Sequence, residues 1–578
     1  MIINALSDYY YSLLEKGKNV PVSGWCYEKV SYALSITDNG ELSEVVSLLE
    51  EETDAKGNSK IVPSKILVPK RVIRTAGVAS NFLCDKSSYM LGISSPPNKK
   101  DLDCFYACKE LHNRILESIH SPEADAVLNF FNSWDPEKAH EHQALEDCFD
   151  DVCAAGNLIL MYRGKYISEY ESIKSAWNGR KEESETGLCM ISGRHCDIAK
   201  LHTQIRGIRG AQPSGASLVC FNNEAVESYG KSGSQALNAP ISKEIMSAYT
   251  NALSYMVSNR EHSIISLDNM TIFCWAKSAD DEYSDVMRVL YGMPSTFSES
   301  DVIRAMSELA KGHRTNISGI SLAPDEEFYI LGISPNASRL SVRFFLKNNF
   351  GAFAKNVDEH YKRLDISLSG EKSRIPSVGG MLRETVRNKM KDEPEPTLAA
   401  SVLKAVFNNT KYPVNLFSGV IKRLKADHQI TASRAAIIKA YLIKNSTNKK
   451  LKEALTLELN EECKYVPYLL GRVFAVCEKI QKDVYPNLGS TIKDKYFDSA
   501  CSTPSLVFPQ ILKLKNCHIK LLKREYAGKA LYYEKMLTDI LSSVDSGFPR
   551  SLNMEEQGVF ILGYYHQNQK LYAKKEEE

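Results

Sequence analysis

The sequence predicts an α+β protein whose last third is an all-α bundle. Up to about residue 350, short runs of β-branched and aromatic residues alternate with stretches in which apolar residues recur three and four positions apart. From residue 398 onward the second pattern is nearly the only one. A proline-rich acidic segment, KDEPEPT at 391–397, separates the two regimes. We therefore predict mixed α/β domains with hairpins at 1–150 and 151–390, and a helical bundle at 398–578.

Within the α+β part, each element follows from a local pattern. Asn39-Gly40 supplies the positive φ that a tight turn needs, so residues 30–36 and 41–49 are predicted to form a hairpin. A second hairpin is predicted at 328–346, with SPNAS as its turn. Helical periodicity predicts helices at 1–16, 101–119, 122–148 and 242–258. Apolar runs predict strands at 158–164, 187–193, 217–222 and 270–276.

Composition excludes several classes of protein. The 578 residues are 43% hydrophobic and 25% charged, which is ordinary for a globular protein. The 14 cysteines include no C-x-x-C pair, which favours reduced thiols and a cytoplasmic location. The first residues lack the basic region of a signal peptide, and no apolar run approaches the ~20 residues of a membrane helix, so no membrane association is expected.

The formal net charge of +1 hides an uneven distribution. Residues 401–578 contain 28 Lys and Arg against 18 Asp and Glu, and residues 401–450 contain 10 against 1. A segment of this kind suits contact with a phosphate backbone. A solvated helical face explains the same counts equally well.

The glycine-rich stretch GIRGAQPSGASLVCFNNEAVESYG, residues 207–230, does not match a nucleotide site. A P-loop needs G-x4-G-K-[ST], and a dinucleotide fingerprint places its glycines between a strand and a helix. Here the glycines precede the predicted strand. No phosphate-bearing cofactor is therefore predicted, and no other cofactor is indicated.

Evidence for catalysis is equally weak. His140-Glu141-His142 lacks the i, i+4 spacing of a helical zinc site, and Cys189, His195 and Cys196 have no second pair at zinc-finger spacing. No metal site is predicted from either group. Asp and Glu are plentiful, which leaves an unmarked metal-dependent nuclease or phosphohydrolase as an open alternative.

The polar residues suit binding instead. Glycines allow backbone N–H groups to approach a sugar-phosphate surface, and Gln and Asn side chains both donate to and accept from base edges. Arg206 and Arg209 add charge to the glycine-rich stretch. A similar mixture of Lys, Arg and Asn occupies residues 66–92. A tight structural turn between core strands explains either segment as well.

These segments resemble a known family, the large subunit of the type I-C CRISPR Cascade complex, a bacterial RNA-guided surveillance assembly. The matching stretches extend over most of the chain in the family's order. They are VPKRVIRTAGVASNFLCDKSSYMLG, IRGIRGAQPSGASLVCFNNEAVESYGKSGSQALNAPIS, EEFYILGISPNASRLSVRFFL, YLLGRVFAVCEKIQ, TIKDKYFDSACSTPSLVFPQI and EEQGVFILGYYHQNQKLY.

The resemblance implies a subunit that is not an enzyme. Such a subunit belongs to a complex of crRNA-bearing backbone subunits and inspects duplex DNA for a short protospacer-adjacent motif (PAM). It then helps to unwind the target, holds the displaced strand and helps to recruit a helicase-nuclease, while guide pairing reads the remaining sequence. A scaffold that contacts only protein and crRNA is the alternative.

On the matching segments, residue chemistry suggests which side chains contact DNA. Lys70, Arg71 and Arg74 are predicted to hold phosphates beside the PAM, with charge added by Arg209. Readers of base edges are predicted at Asn81, Gln212, Asn222 and Asn223.

The C-terminal bundle resembles the small subunit of related Cascades, which in this family is also made separately from an internal start. No methionine lies between Met390 and Met536, so such a product begins at Met381, Met390 or a non-AUG codon. The basic run suits single-stranded DNA. The predicted contacts are Lys422, Arg423, Lys425, Arg434 and Lys439.

Overall fold

The computed structural model of the chain describes residues 1–53, 59–72, 74, 77–180, 185–221, 225, 227, 235–259, 263–267, 270–291, 293, 295, 297–367, 376–544 and 547–573. They form two compact units. Unit 1 comprises Met1–Ile205 and Ser217–Tyr255, and unit 2 comprises Arg206–Ala216 and Met256–Glu578. The predicted division into three domains rests on sequence character and stays a prediction.

The predicted α+β class is confirmed: sheets and helices are mixed in the N-terminal part, and the C-terminal region is helical. Within the part of the chain that the structure describes, none of the helices combines the length and the apolar character that a bilayer crossing requires.

Unit 1 contains short strands and helices that are grouped along the chain. Its helices are α1 (Ile2–Glu15), α2 (Ser87–Met90), α3 (Asp101–Leu116), α4 (Pro122–Ser133), α5 (Phe149–Ala154), α6 (Glu171–Gly179) and most of α7 (Lys243–Ser258). Its strands are β1 (Trp25–Val30), β2 (Tyr32–Ile36), β3 (Leu42–Ser47), β4 (Leu49–Thr53), β5 (Ser59–Pro69), β6 (Cys84–Asp85), β7 (Leu158–Tyr162), β8 (Lys165–Tyr166), β9 (Thr186–Leu188) and β10 (His195–Asp197).

The sheets of unit 1 are small. One has the order β3-β2-β7-β6, with β8 paired to β7; only β2 and β7 run parallel. A second, antiparallel sheet has the order β1-β5-β4. The predicted first hairpin is therefore present as β2 and β3. Its turn glycine, Gly40, has φ +79°, and a Cβ there would meet the backbone nitrogen of Phe130 at 2.2 Å. Helix α4 thus packs directly on the turn, which only glycine permits.

Unit 2 joins an antiparallel sheet to the helical bundle. Its strands are β11 (Ser263–Leu267), β12 (Met270–Ala276), β13 (Thr315–Ile317), β14 (Ile320–Leu322), β15 (Glu327–Asn336) and β16 (Arg339–Asn349). Its helices are α8 (Glu282–Tyr291), α9 (Glu299–Ala310), α10 (Phe350–Leu364), α11 (Val378–Arg383), α12 (Pro396–Phe407), α13 (Val414–Asp427), α14 (Ala432–Asn445), α15 (Val466–Val484), α16 (Ile492–Ser502), α17 (Pro504–Glu525), α18 (Ala527–Ser542) and α19 (Met554–Tyr572).

The sheet of unit 2 has the order β11-β12-β15-β16, so the predicted second hairpin is its β15–β16 edge. Helices of the bundle pack against this sheet: α12 contacts both β16 and α10. The bundle is centred on α15 and α19, which cross at two glycines. A Cβ at Gly471 would meet the carbonyl oxygen of Phe560 at 2.0 Å, and one at Gly563 would meet that of Tyr468 at 2.2 Å.

Three local expectations differ from the structure. The predicted helix 122–148 ends at Ser133, because Asp135-Pro136 disfavours continuation, and short 3-10 turns follow at Pro136–Glu141 and Gln143–Leu145. Of the predicted strand 187–193, only residues 187 and 188 belong to a strand, β9, and residues 190–192 form a turn. Residues 217–221 form no strand, although their apolar pattern suggested one.

Candidate nucleic-acid interfaces

Four of the predicted DNA contacts follow β5 in unit 1, and Lys70 and Arg71 come first. The backbone N–H of Lys70 donates to the carbonyl of Gly24 (2.8 Å), and its ammonium lies 3.9 Å from the sulfur of Met246. Arg71 forms a 2.9 Å salt bridge with Glu28, and these two side chains are 26% and 13% exposed. Both basic groups are half-buried, and that of Arg71 is already paired.

Arg74 lies on a buried carboxylate. Its guanidinium contacts Asp85, which is 0% exposed, and donates to the carbonyl of Ala79 (2.6 Å). The guanidinium also covers the ring of Tyr89 at 4.0 Å from the centroid. An ionised, fully buried Asp85 requires a cationic partner. Arg74 therefore compensates this charge, and its side chain is 23% exposed.

Asn81 belongs to the same cluster. It is 2% exposed, its backbone N–H donates to the Asp85 carboxylate (2.8 Å), and its side-chain oxygen accepts from the N–H of Val72 (2.9 Å). The structure therefore brings Arg74 and Asn81 together around Asp85, where they shape the segment. In this arrangement the Asn81 amide is not on the surface where a base could reach it.

The glycine-rich segment is a pair of turns rather than the edge of a strand. The N–H of Ala211 donates to the carbonyl of Ile208 (3.1 Å), and that of Gly215 donates to the carbonyl of Gln212 (2.8 Å). Gly210 stands at the third position of the first turn with φ +80°, the conformation that a type II turn requires. Ile208 is 5% exposed and anchors the segment.

These turns carry polar side chains outward. Arg209 and Gln212 are exposed, as is Ser214. Arg209 forms a 3.2 Å salt bridge with Glu393, and the two side chains are 58% and 44% exposed. Such a surface pair contributes about 0–1 kcal/mol, so a phosphate can compete for the guanidinium. The remaining predicted readers, Asn222 and Asn223, lie outside the described residues.

In the basic run of unit 2, only Lys422 among the five predicted contacts is fully on the surface. It lines a cleft of about 410 Å³ together with Thr385, Asn415 and Ser418. This cleft offers hydroxyl and amide groups next to one cation, and Glu395 also lines it.

Arg423 and Arg434 share one acid. Arg434 is 2% exposed and donates to both oxygens of Asp427 (2.6 and 2.8 Å) and to Glu384 (2.9 Å). Burial lowers the pKa of Arg434, but these two carboxylates outweigh it and leave the pKa raised. Arg423 approaches the same Asp427 at 3.5 Å. Arg434 is thus a buried ionic centre and is not available to DNA in this structure.

The other two lysines are also occupied. Lys425 contacts Asp498 and the Ser502 hydroxyl, each at 2.7 Å. Lys439 is 5% exposed, and its ammonium donates to the carbonyl of Asp365. Burial lowers the pKa of Lys439. Four of the five predicted contacts are thus paired or buried, whereas Lys404, Lys411, Lys449 and Lys450 of the same stretch are exposed, as Lys422 is.

A basic surface that charge counting overlooked lies on α17. Residues 513, 516, 517, 520 and 524 are all exposed and recur three and four apart, so they share one face of the helix. Lys513, Lys520 and Arg524 give this face its charge over roughly 16 Å of helix. Just beyond it, Tyr526 and Tyr532 are 58% and 54% exposed. We call the exposed residues 513, 516, 517, 520 and 524 of α17 the α17 face. A helical period of basic residues beside tyrosines was the sequence pattern that could have revealed it.

The groups considered for metal binding are not assembled into a cage. His140 and Glu141 are solvent-exposed, and the ring of His142 packs on Trp134 at 5.2 Å. Cys189 is buried whereas His195 is exposed. Among the residues that the structure describes, no three or more His, Cys, Asp or Glu side chains converge as metal ligands do.

A family model matches nearly the whole chain. The family model described as CRISPR-associated protein (Cas_Csd1) matches residues 6–572. No curated protein matches the chain. Since the family model covers nearly all of the sequence, the chain belongs to the CRISPR-associated Cas_Csd1 family, and a role in CRISPR defence follows from that membership.

Proposed function

We propose that this Cas_Csd1 family member is the large subunit of a type I-C CRISPR surveillance complex and reads the PAM in duplex DNA. Its partners would be crRNA-bearing backbone subunits, a small subunit related to its own C-terminal region, target DNA and a helicase-nuclease. The family match supports the general role. The observation that carries the specific role is the pair of turns at 208–215, which presents Arg209 and Gln212 to solvent on a glycine-built frame.

The chemistry of these turns suits a base edge and a phosphate. The amide of Gln212 both donates and accepts, as pairing with the edge of adenine or with minor-groove acceptors requires. Arg209 exchanges its exposed partner Glu393 for a phosphate at little cost. Arg74 and Asn81 take a different role in this proposal: they hold the segment around Asp85 in shape, and Lys70 and Arg71 supply charge beside it.

Strand opening and strand holding would use two other surfaces. Leu188 and Met190, each 62% exposed, project from the β9–β10 hairpin, and apolar side chains of this kind insert between base steps. The α17 face would hold the displaced strand, with its cations on phosphates and the two tyrosines stacked on bases. The cleft beside Lys422 provides a further phosphate contact.

The test is target binding by the assembled complex on duplexes that differ only in the bases flanking the target. With Gln212→Ala, we expect flank discrimination to fall about tenfold, the equivalent of one good base contact. Gln143→Ala, at another exposed glutamine, is the matched control and should leave discrimination unchanged. Discrimination that survives removal of the whole subunit would refute the PAM-reading role and favour a scaffold.

Asn81→Ala separates the structural role from the reading role. Because the Asn81 side chain accepts from the Val72 N–H inside the chain, its loss should lower the melting temperature of the subunit. Discrimination at saturating protein should be affected less than by Gln212→Ala. A variant of normal stability that loses discrimination would instead make Asn81 a direct reader.

We also propose that the chain has no nuclease activity of its own. The purified full-length protein, incubated with single- and double-stranded DNA in Mg²⁺ or Mn²⁺, should leave both intact. Cleavage that disappears on mutation of His140, His142 or Cys196 would favour the metal-dependent alternative.

A further inference from the structure

The hairpin of β9 and β10 carries two cysteines on one face. Cys196 pairs with Gly187 across the hairpin, and side chains two residues apart on a strand share a face. Cys189 is therefore the diagonal neighbour of Cys196, and the Cys189 N–H and the Cys196 thiol both approach the carbonyl oxygen of Arg194. The N–H of Cys189 donates to the carbonyl of Arg194 (2.9 Å), which continues the hairpin pairing past β9.

The sulfur of Cys189 is surrounded by donors. It is 0% exposed and accepts from the backbone N–H of Ser242 at 3.3 Å. Ser242 immediately precedes the 16-residue helix α7, so the positive end of that helix faces the sulfur. Burial alone would raise the pKa of Cys189. Hydrogen bonds from the Ser192 hydroxyl and from the N–H groups of Ser192, Ser242 and Ile191 outweigh burial and lower the pKa to about 7.

Cys196 differs from its neighbour in both exposure and charge. Its side chain is partly exposed, and its thiol lies 3.5 Å from the carbonyl oxygen of Arg194. Burial and the neighbouring Cys189 raise the pKa of Cys196. The hairpin thus joins a partly exposed thiol, Cys196, to a buried one whose lowered pKa leaves part of it ionised near neutral pH, so that Cys189 can take up the proton of its neighbour.

We propose that Cys189 and Cys196 form a thiol-exchange site that reacts with small disulfides, such as glutathione disulfide, and closes an intramolecular disulfide. Cys196 transfers its proton to Cys189 and attacks one sulfur of glutathione disulfide, which releases one glutathione thiolate. Cys189 then loses that proton and attacks the Cys196 sulfur, which releases the second glutathione. Two protein thiols are oxidised to one disulfide, and one glutathione disulfide is reduced to two glutathione molecules. The site does not depend on the DNA-reading role.

The test is peptide mapping of the full-length protein after treatment with glutathione disulfide at pH 7.5. Trypsin cleaves after Arg194, so the new bond would join the peptide that ends at Arg194 to His195–Lys200. We expect this linked pair to be the main product and to separate on reduction. Cys517, an exposed thiol on α17, is the internal reference and should carry a persistent glutathione adduct.

Two variants distinguish the roles of the sulfurs. In Cys189→Ser, the adduct on Cys196 should persist because no thiolate resolves it. In Cys196→Ser, the shielded Cys189 should remain unmodified. The proposal is overturned if Cys196 of the unaltered chain keeps its glutathione without forming the linked peptides. It is equally overturned if neither thiol reacts while Cys517 does. Peptide mapping reads the bond directly and needs neither DNA nor the other subunits.

Discussion

Two basic segments of unit 2 differ in how they use their charge. The run at 404–450 contains ten Lys and Arg, twice the five of α17, yet Arg434 and Lys439 are buried and Lys425 is paired with Asp498. On α17 the basic residues recur at helical spacing and remain on the surface. Part of the charge of the first segment therefore stabilises the bundle, whereas Lys513, Lys520 and Arg524 of the second leave a cationic face on the surface. Charge density along a sequence therefore does not measure charge that is free on the surface.

The difference arises from acids that are remote in sequence. Arg434 meets Glu384, which is 50 residues away, and Lys425 meets Asp498. A count over 401–450 contains neither acid. On α17, Lys513, Lys520 and Arg524 are exposed, and Lys523 approaches Glu534 at 3.5 Å.

The largest effect is expected for Arg434→Met. Removing the guanidinium leaves Glu384 and Asp427 without their cation, and breaking a buried ion pair from one side costs about 3–5 kcal/mol. Chemical denaturation of the full-length protein should show this loss in the transition of unit 2. Lys422→Met, at the exposed position of the same run, is the matched control and should change the unfolding free energy by less than about 0.5 kcal/mol. Equal effects of the two substitutions would show that buried and exposed cations of this run contribute equally to stability, against this prediction.

The same network bears on a separate C-terminal product. A chain that begins at Met390 lacks Glu384, so Arg434 would retain Asp427 as its acid. Met381 is itself 1% exposed in α11, and a product beginning there would keep Glu384. Arg434→Met should therefore lower the free energy of unfolding less in the shorter product than in the full chain, because the shorter product lacks the ion pair between Arg434 and Glu384.

Two buried histidines are expected to make the free energy of unfolding depend on pH. His566 is 1% exposed beside Tyr468 (2.9 Å), and burial lowers its pKa to about 4; burial likewise lowers the pKa of His360 to about 3. Above pH 6.5 the two histidines are neutral in both the folded and the unfolded chain. Below pH 6.5 the histidines of the unfolded chain take up protons that the folded chain excludes. Unfolding is therefore favoured as the pH falls, by about 2 kcal/mol per histidine between pH 7 and 5.

The check is the unfolding free energy of His566→Gln measured over this pH range. The variant should lose one such contribution and show a shallower decline than the unaltered chain. His120→Gln, at an exposed histidine, is the control and should leave the slope unchanged. An unchanged slope for His566→Gln would mean that its imidazole takes up its proton over the same pH range in the folded and the unfolded chain, so that burial does not exclude the charge.

What could be predicted from the sequence is what depends on near neighbours. The hairpin at Asn39-Gly40 and the helix at 242–258 follow from turn chemistry and period, and both are present. The strand expected at 217–222 is absent from the residues described there, because within 217–221 only Ser217 takes part in a β-bridge and a single bridge does not make a strand. The role of each polar residue was harder to predict. Asn81 and Arg74 have the right chemistry for DNA, but both are bonded to the buried carboxylate of Asp85.

The α17 face is expected to govern how single-strand binding responds to salt. In the triple variant Lys513→Gln, Lys520→Gln, Arg524→Gln, the full-length protein should release about three fewer counterions on binding a labelled oligonucleotide. The slope of log affinity against log salt should become shallower by about 2, at ~0.7 per phosphate contact. Thermal stability should be unchanged, because these side chains are exposed.

The matched triple variant in the basic run is Lys422→Gln, Arg423→Gln, Lys425→Gln. It removes the same number of charges, but only Lys422 is exposed, so the slope should change by about 0.7. If both triples flatten the slope equally, the paired cations exchange their acids for phosphates, and the α17 face is not the principal path of the strand.

The smallest effect is expected at Lys425, which lies between the two classes. Its side chain is 21% exposed, but its acid, Asp498, is 61% exposed, so water screens the pair. Lys425→Gln should therefore cost less than about 1 kcal/mol of unfolding free energy, and the cost should shrink as salt is raised from 0.05 to about 0.5 M. Denaturation at the two salt concentrations measures both quantities. A loss near that of Arg434→Met, insensitive to salt, would place Lys425 with the buried cations. In that case the burial of the cation would determine how much an ion pair stabilises the fold. A small, salt-sensitive loss would show instead that the exposure of the acid determines it.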